Sequence, residues 1–240
     1  MDKSALQYLV DECGAVDGLE IQGRPYTSKP VYKVKAPEAD TLEVRNLSAL
    51  VVYLKDNFDQ RPGPVLVQVA TPTRVIALGQ EYGPFRQRDT LIMADCTDLL
   101  PETRRLFGNW IINEEFQIWL RTGFTPSHQR GEIAEMASAV TMAAEQEVRD
   151  DGVKQEVTVR QGVKMLGKAN VPNPVKLAPF RTFLEIEQPA SDFLFRVREG
   201  GCFMLKEADG GAWRLEAMRR IKEHLQEALE SAELGITVIS

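Results

Sequence analysis

The stretch PFRTFLEIEQPASDFLFRVR, Pro179 to Arg198, decides how the fold is read. Phe193, Phe195 and Val197 alternate with Asp192, Leu194, Arg196 and Arg198. That is the period-two pattern of a strand with one buried face. Thr182, Leu184 and Ile186 alternate with Arg181, Phe183, Glu185 and Glu187 in the same way. Joined through Gln188-Pro189-Ala190-Ser191, the two runs predict a β-hairpin with Ile186 opposite Phe193, Leu184 opposite Phe195 and Thr182 opposite Val197. A slip of one residue would bury the charges, so this register is the expected one. It gathers Arg181, Phe183, Glu185, Glu187, Arg196 and Arg198 on the second face.

The flanks predict more strands and helices. Downstream, CFMLKE (Cys202 to Glu207) reads as a strand, and EADGG turns the chain into a helix from about Ala212 to Ser231. That helix carries Trp213, Ala217, Ile221, Leu225 and Leu229 at four-residue steps, and ITVI follows as an edge strand. Asp209 is expected to cap it; a phosphate received on the Gly210-Gly211 backbone is the alternative. Upstream, VKQEVTVRQGV (Val153 to Val163) alternates as a strand, and NVPNPVKLAP reads as a proline-punctuated connection.

Pro126 opens a predicted helix from Ser127 to Arg149 with Ile133, Met136, Ala137, Val140 and Ala144 as its stripe, stopped by Asp150-Asp151-Gly152. Asn113 is expected to cap a helix packing Phe116, Ile118, Trp119 and Leu120 inward. NLSALVVYLKDNFD (Asn46 to Asp59) predicts a helix with Leu50, Leu54 and Phe58 on its apolar face. VLVQVA and RVIALG form a predicted hairpin, with TLIMAD as a third strand.

The sum is an α+β protein, an antiparallel sheet packed against long amphipathic helices. Three regions are expected. Residues 1–40 hold an N-terminal helix (Ser4 to Val16) and an extended basic arm, 41–110 an α+β region, and 111–240 a helix pair, hairpin sheet and C-terminal helix, the alternative being one continuous domain with 41–110. The arm carries Arg24, Lys29, Lys33 and Lys35 with Tyr26 and Tyr32. Such an arm could follow a nucleic-acid backbone or lie on a neighbouring subunit.

Composition narrows the function. The 240 residues carry a net charge of −6, which does not suit a general polyanion binder but leaves room for a local basic stripe. Cys13, Cys96 and Cys202 are scattered, and His128 and His224 have no ligand spacing to them, so neither a disulfide framework nor a zinc site is expected. The apolar runs are too short for a bilayer, and no secretion signal opens the chain. A cytoplasmic setting is expected, with no cofactor.

The charged hairpin face admits three uses. Arg181, Arg196 and Arg198 could grip a phosphate while Phe183 stacks a base. Glu185 and Glu187, with Asp151, Asp150, Glu207 or Asp209, could hold a divalent metal for phosphodiester chemistry. Here Glu185-Ile186-Glu187 stands where a nuclease core would place a lysine. Plain cross-strand ion pairing, worth ~0.2–1 kcal/mol per pair, is the third.

Three strings, DDGVKQEVTVRQGV, VPNPVKLAPFRTFLEIEQPASDFLFRVR and FMLKEADGGAW, resemble the YfdQ-like group of phage and prophage proteins. The resemblance runs from about Phe116 to Ala228 and implies an early or accessory phage protein acting inside the host bacterium. It carries no catalytic signature. The function expected is a non-enzymatic, self-assembling phage protein that binds a nucleotide signal or single-stranded nucleic acid, in DNA metabolism or counter-defence. The alternatives are a metal-dependent phosphodiesterase and a ligand-free assembly protein.

Overall fold

The computed structural model describes residues 4, 18–21, 24–27, 40–60, 63–83, 86–101, 106–141, 145–150, 155–161, 164–171, 173–198 and 201–240. The protein is mixed α+β and divides into two units, Met1–Asp40 and Thr41–Ser240. In the first unit, β1 (Gly18–Ile21) pairs antiparallel with β2 (Arg24–Thr27), Ile21 opposite Arg24. Arg24 and Tyr26 thus belong to a hairpin rather than to an unpaired arm. Lys29, Tyr32, Lys33, Lys35 and, apart from Ser4, the expected first helix lie outside the described residues.

The second unit opens with β3 (Leu42–Val44) and α1 (Leu47–Asp56). Asn46 caps α1 by accepting from Ala49 N at 2.8 Å, and Asn57 ends it in the left-handed region at φ 43°. Leu47, Leu50 and Leu54 are buried. Phe58 follows the helix and is 82% exposed, because the stop at Asn57 turns it off the expected stripe. β4 (Leu66–Thr71), β5 (Arg74–Leu78) and β6 (Thr90–Asp95) form the expected antiparallel meander.

Next come β7 (Ile111–Ile112), α2 (Asn113–Gly123) and α3 (His128–Thr141). Asn113 is the first helical residue rather than the cap. Phe116, Trp119 and Leu120 are buried, but Ile118 is 57% exposed, since a 3.6-residue period turns it away from them. α3 buries Ile133, Ala137 and Val140 and is shorter than expected. Glu145–Asp150 forms β8, held by antiparallel pairing with β9 (Gln155–Gln161), where the helix was expected to continue. β10 (Lys164–Val171) completes that three-stranded sheet.

β11 (Val175–Leu177) lies inside the segment read as a connection. β12 (Ser191–Arg198) and β13 (Cys202–Glu207) follow. α4 (Trp213–Ser231) buries Trp213, Ala217, Ile221, Leu225 and Leu229, the stripe read from its spacing. β14 (Thr237–Ile239) ends the chain at a sheet edge, parallel to β4.

The larger sheet has the order β14-β4-β5-β6-β3 and is mixed, because both edge strands run parallel to their neighbours. Its core joins Val67, Val75 and Ile92 to Leu50 of α1 and to Ile221 and Leu225 of α4. A second, antiparallel sheet has the order β11-β12-β13-β7. Its inner face packs Phe193, Phe195 and Phe203 against Phe116 and Ile133 of α2 and α3. Phe116 stacks on Phe203 with ring centroids 5.0 Å apart.

The predicted hairpin does not form. β12 pairs with β11, Val175 opposite Phe193, and with β13, Phe195 opposite Leu205. Residues 180–190 are an irregular segment. Phe183 and Ile186 plug the core of the larger sheet, while Leu184 is 64% exposed. The apolar contacts follow a spacing of three, not two. Two prolines at the segment's ends and a buried Gln188 at its centre account for the change. Gln188 Oε1 accepts from Arg181 N and Thr182 N, and its Nε2 donates to Phe183 O and Ile186 O. One side chain therefore supplies the bonds that a strand partner would have made.

Candidate functional site

The six residues expected on one face are dispersed. Arg181 is buried, and its guanidinium donates to Glu207, Ser191 Oγ and Pro189 O while stacking 4.0 Å from the Trp213 ring centroid. Burial pulls this guanidinium down to about 10 against the opposing pull of Glu207 and Asp209, so it stays charged at neutral pH. Phe183 is in the core. Glu185 accepts from Leu47 N at 2.6 Å, Ser48 N at 2.8 Å and Ser48 Oγ at 2.5 Å. Glu187 pairs with Arg220 at 3.0 Å.

These contacts answer the metal reading in geometric terms. Both oxygens of Glu185 hold the start of α1, Glu207 holds Arg181, and Asp209 caps α4. Asp209 accepts from Gly211 N, Trp213 N and Ser191 Oγ. Burial raises its carboxyl, but these bonds and Arg181 together hold it below its ordinary value. The turn before α4 is made by Gly210 and Gly211, both at positive φ. Asp151 lies outside the described residues, and no group of metal-ligating side chains is found among those described. Cys96 is buried, and burial first, then Asp95, pushes its thiol up to about 12, which leaves it unreactive.

Arg196 and Arg198 are brought together with residues the sequence reading passed over. The inner face of β12 is buried through Phe193, Phe195 and Val197. Its outer face carries Asp192, Leu194, Arg196 and Arg198. The register sets Leu194 opposite Lys206, Arg196 opposite Met204, Arg198 opposite Cys202, and Asp192 opposite Lys176. Lys176, Asp192, Arg198 and Lys206 are exposed, and Leu194, Arg196 and Met204 are half-buried. At the far edge, the Arg198 guanidinium lies 5.9 Å from the ring of Trp110, which is 43% exposed.

The outer face thus presents Lys176, Arg198 and Lys206, with Leu194, Arg196 and Met204 half-buried between them and the Trp110 indole exposed at the edge. Among its described residues Asp192 is the acid, and it faces Lys176. In a chain of net charge −6 this is a local reversal of sign. Arg198 and Lys206 are the exposed cations of β12 and β13, while Arg196 is half-buried and its Nη1 is withdrawn from solvent. The signal for Lys206 was legible in the alternation of CFMLKE. Nothing local marks Lys176 or Trp110, which join the face only through sheet pairing and chain return.

No protein-family model, curated protein or solved structure matches the chain.

Proposed function

We propose that this is a non-enzymatic phage accessory protein of the YfdQ-like kind, and that it binds single-stranded nucleic acid across the outer face of the β11-β12-β13-β7 sheet. The observation that carries the reading is the placement of two exposed cations, Arg198 and Lys206, on the outer face of one sheet, with the Arg198 guanidinium 5.9 Å from the exposed Trp110 ring. Single-strand binders join backbone-tracking cations to aromatic platforms that stack bases without sequence preference. The cations spread over separate strands instead of converging, which favours an extended polyanion over a nucleotide signal.

The test is fluorescence anisotropy of a labelled oligothymidylate over a salt series. Binding should weaken linearly in log–log form with salt, with a slope of roughly −0.7 per phosphate neutralised. Arg198→Ala and Lys206→Ala should each make the slope shallower by about that amount. Tight binding that ignores salt, or no binding at low salt, rejects the proposal. Self-assembly belongs to the same reading and is supported by the exposed apolar side chains Val52, Phe58 and Leu215. Light scattering over a dilution series tests it: a constant monomer mass removes it.

A further inference from the structure

A concavity lies at the β11 edge of the same sheet, away from Trp110. It is a cleft of about 710 Å³. One wall is the start of α3 and β11, with His128 and Lys176; the other is the irregular segment, with Phe180, Leu184 and Ile186. The volume falls within the range usual for small-molecule sites, ~300–1,000 Å³, whose walls are mostly apolar with a few polar groups fixing orientation.

Two features set it apart from an incidental groove. First, the segment is held rigidly where it is. Gln188 ties four of its backbone groups, Arg181 holds Pro189 O, and Thr182 Oγ1 donates to Pro72 O. Yet this braced segment leaves Leu184, at 64% exposure, on the cleft. With Phe180 and Ile186 on the same wall, Leu184 gives the cleft a contiguous apolar side, and contiguous apolar surface marks contact sites. Second, the facing wall is also pinned, because Lys176 N donates to Gln129 Oε1 at 2.6 Å. That bond sets the lysine beside the start of α3. The carboxylate at the cleft, Glu187, is on the opposite wall and is already paired with Arg220.

We infer that this cleft binds a small amphipathic anion: an apolar or aromatic body laid against Phe180, Leu184 and Ile186, with one carboxylate, sulfonate or phosphate held at Lys176. Lys176 is shared with the outer sheet face, whereas Leu184 belongs to the cleft and Arg198 to the sheet face alone.

The experiment is titration of the full chain with 1-anilinonaphthalene-8-sulfonate, which has this chemistry, followed by competition with decanoate or adenosine monophosphate. The expected result is one saturable site per chain, weakened at least tenfold by Leu184→Ser and by Lys176→Glu and unchanged by Arg198→Ala. Both altered side chains are exposed and sit on different elements, so the two variants test the site independently. Displacement by decanoate assigns an acyl carboxylate; displacement by the nucleotide assigns an aromatic phosphate. Non-saturating fluorescence, parent-like binding by either variant, or displacement by neither competitor overturns the inference.

Discussion

Glu185 Oε2 accepts a hydrogen bond from Leu47 N at 2.6 Å, across 138 positions of sequence. With Glu185 Oε1 on Ser48 N and Asn46 Oδ1 on Ala49 N, the first three N–H groups of α1 all have acceptors. A helix leaves these groups orphaned, and a carboxylate there also meets the positive end of the helix dipole. Glu185→Ala should therefore cost about 1–2 kcal/mol of stability, the range of a lost cap. Glu185→Gln should cost less, since an amide oxygen can still accept. Urea unfolding measures both, and oligonucleotide affinity should not change in either. A loss of affinity at full stability would return Glu185 to a binding role.

Arg181 is the second joint. It links β13 through Glu207, the irregular segment through Pro189 and α4 through the Trp213 ring. Removing one partner of a buried pair strands the other's charge, so Arg181→Ala should destabilise by roughly 3–5 kcal/mol. Arg181→Lys should restore little of this, because an ammonium cannot stack flat on the indole or fork between Glu207 and Ser191. Thermal unfolding decides between them. The phosphate-grip reading instead predicts a binding defect in a stable protein.

How much of this was legible depended on where the partners lie. The stripe of α4 and the β4–β5 hairpin could be read because their determinants are local: spacing in one case, a short Pro72-Thr73 loop in the other. The buried face of β12 was legible for the same reason. Residues 180–190 were not. Their alternation is genuine in the sequence, but the Gln188 side chain satisfies four backbone groups from within the segment and Thr182 Oγ1 anchors it to Pro72 O, which leaves no strand to pair. The candidate site was half legible. Arg196 and Arg198 were found on the correct face of a strand with the wrong neighbours, since pairing to β13 instead of residues 181–187 replaces Phe183 and Glu185 by Met204 and Lys206.

Two carboxylates should govern acid stability. Burial raises Asp95, but bonds from Thr97 and Arg74 outweigh it, and Asp209 is held down in the same sense by Ser191 and the start of α4. Both lie below their ordinary 3.8, so each binds a proton less readily folded than unfolded. Their contribution is complete above the ordinary value and is lost as pH falls through the lowered folded values. The urea midpoint should fall steeply below about pH 4, and Asp95→Asn and Asp209→Asn should each flatten that fall while lowering the midpoint at neutral pH. A midpoint that drops equally in both variants and the parent excludes these two groups as the cause.

Divalent metal offers a direct trial of the phosphodiesterase alternative. With Glu185 and Glu207 engaged in folding contacts and Glu187 paired, Mg²⁺ or Mn²⁺ should leave a panel of nucleotides and single- and double-stranded DNA intact. Gel and chromatographic assay of the purified chain is sufficient. Metal-dependent cleavage that Glu185→Gln stops would replace the binding-only reading.

Trp110 gives the sheet face its own spectroscopic reporter. The chain has three tryptophans; Trp119 and Trp213 are each 5% exposed, against 43% for Trp110. A base stacking on the outer face should quench Trp110 and leave the other two unchanged. Oligothymidylate should therefore remove only the red-edge part of the emission, and Trp110→Phe should abolish that change while binding persists. Trp110→Ala should weaken binding by about 1–3 kcal/mol, the usual worth of one stacked base, with the salt slope unaltered. Arg198→Ala should do the reverse, lowering the slope and preserving the quench at low salt. This separation of a salt-insensitive stacking contribution from a salt-sensitive ionic one is specific to a face that uses both. Quenching that survives Trp110→Phe places the bound strand elsewhere on the protein.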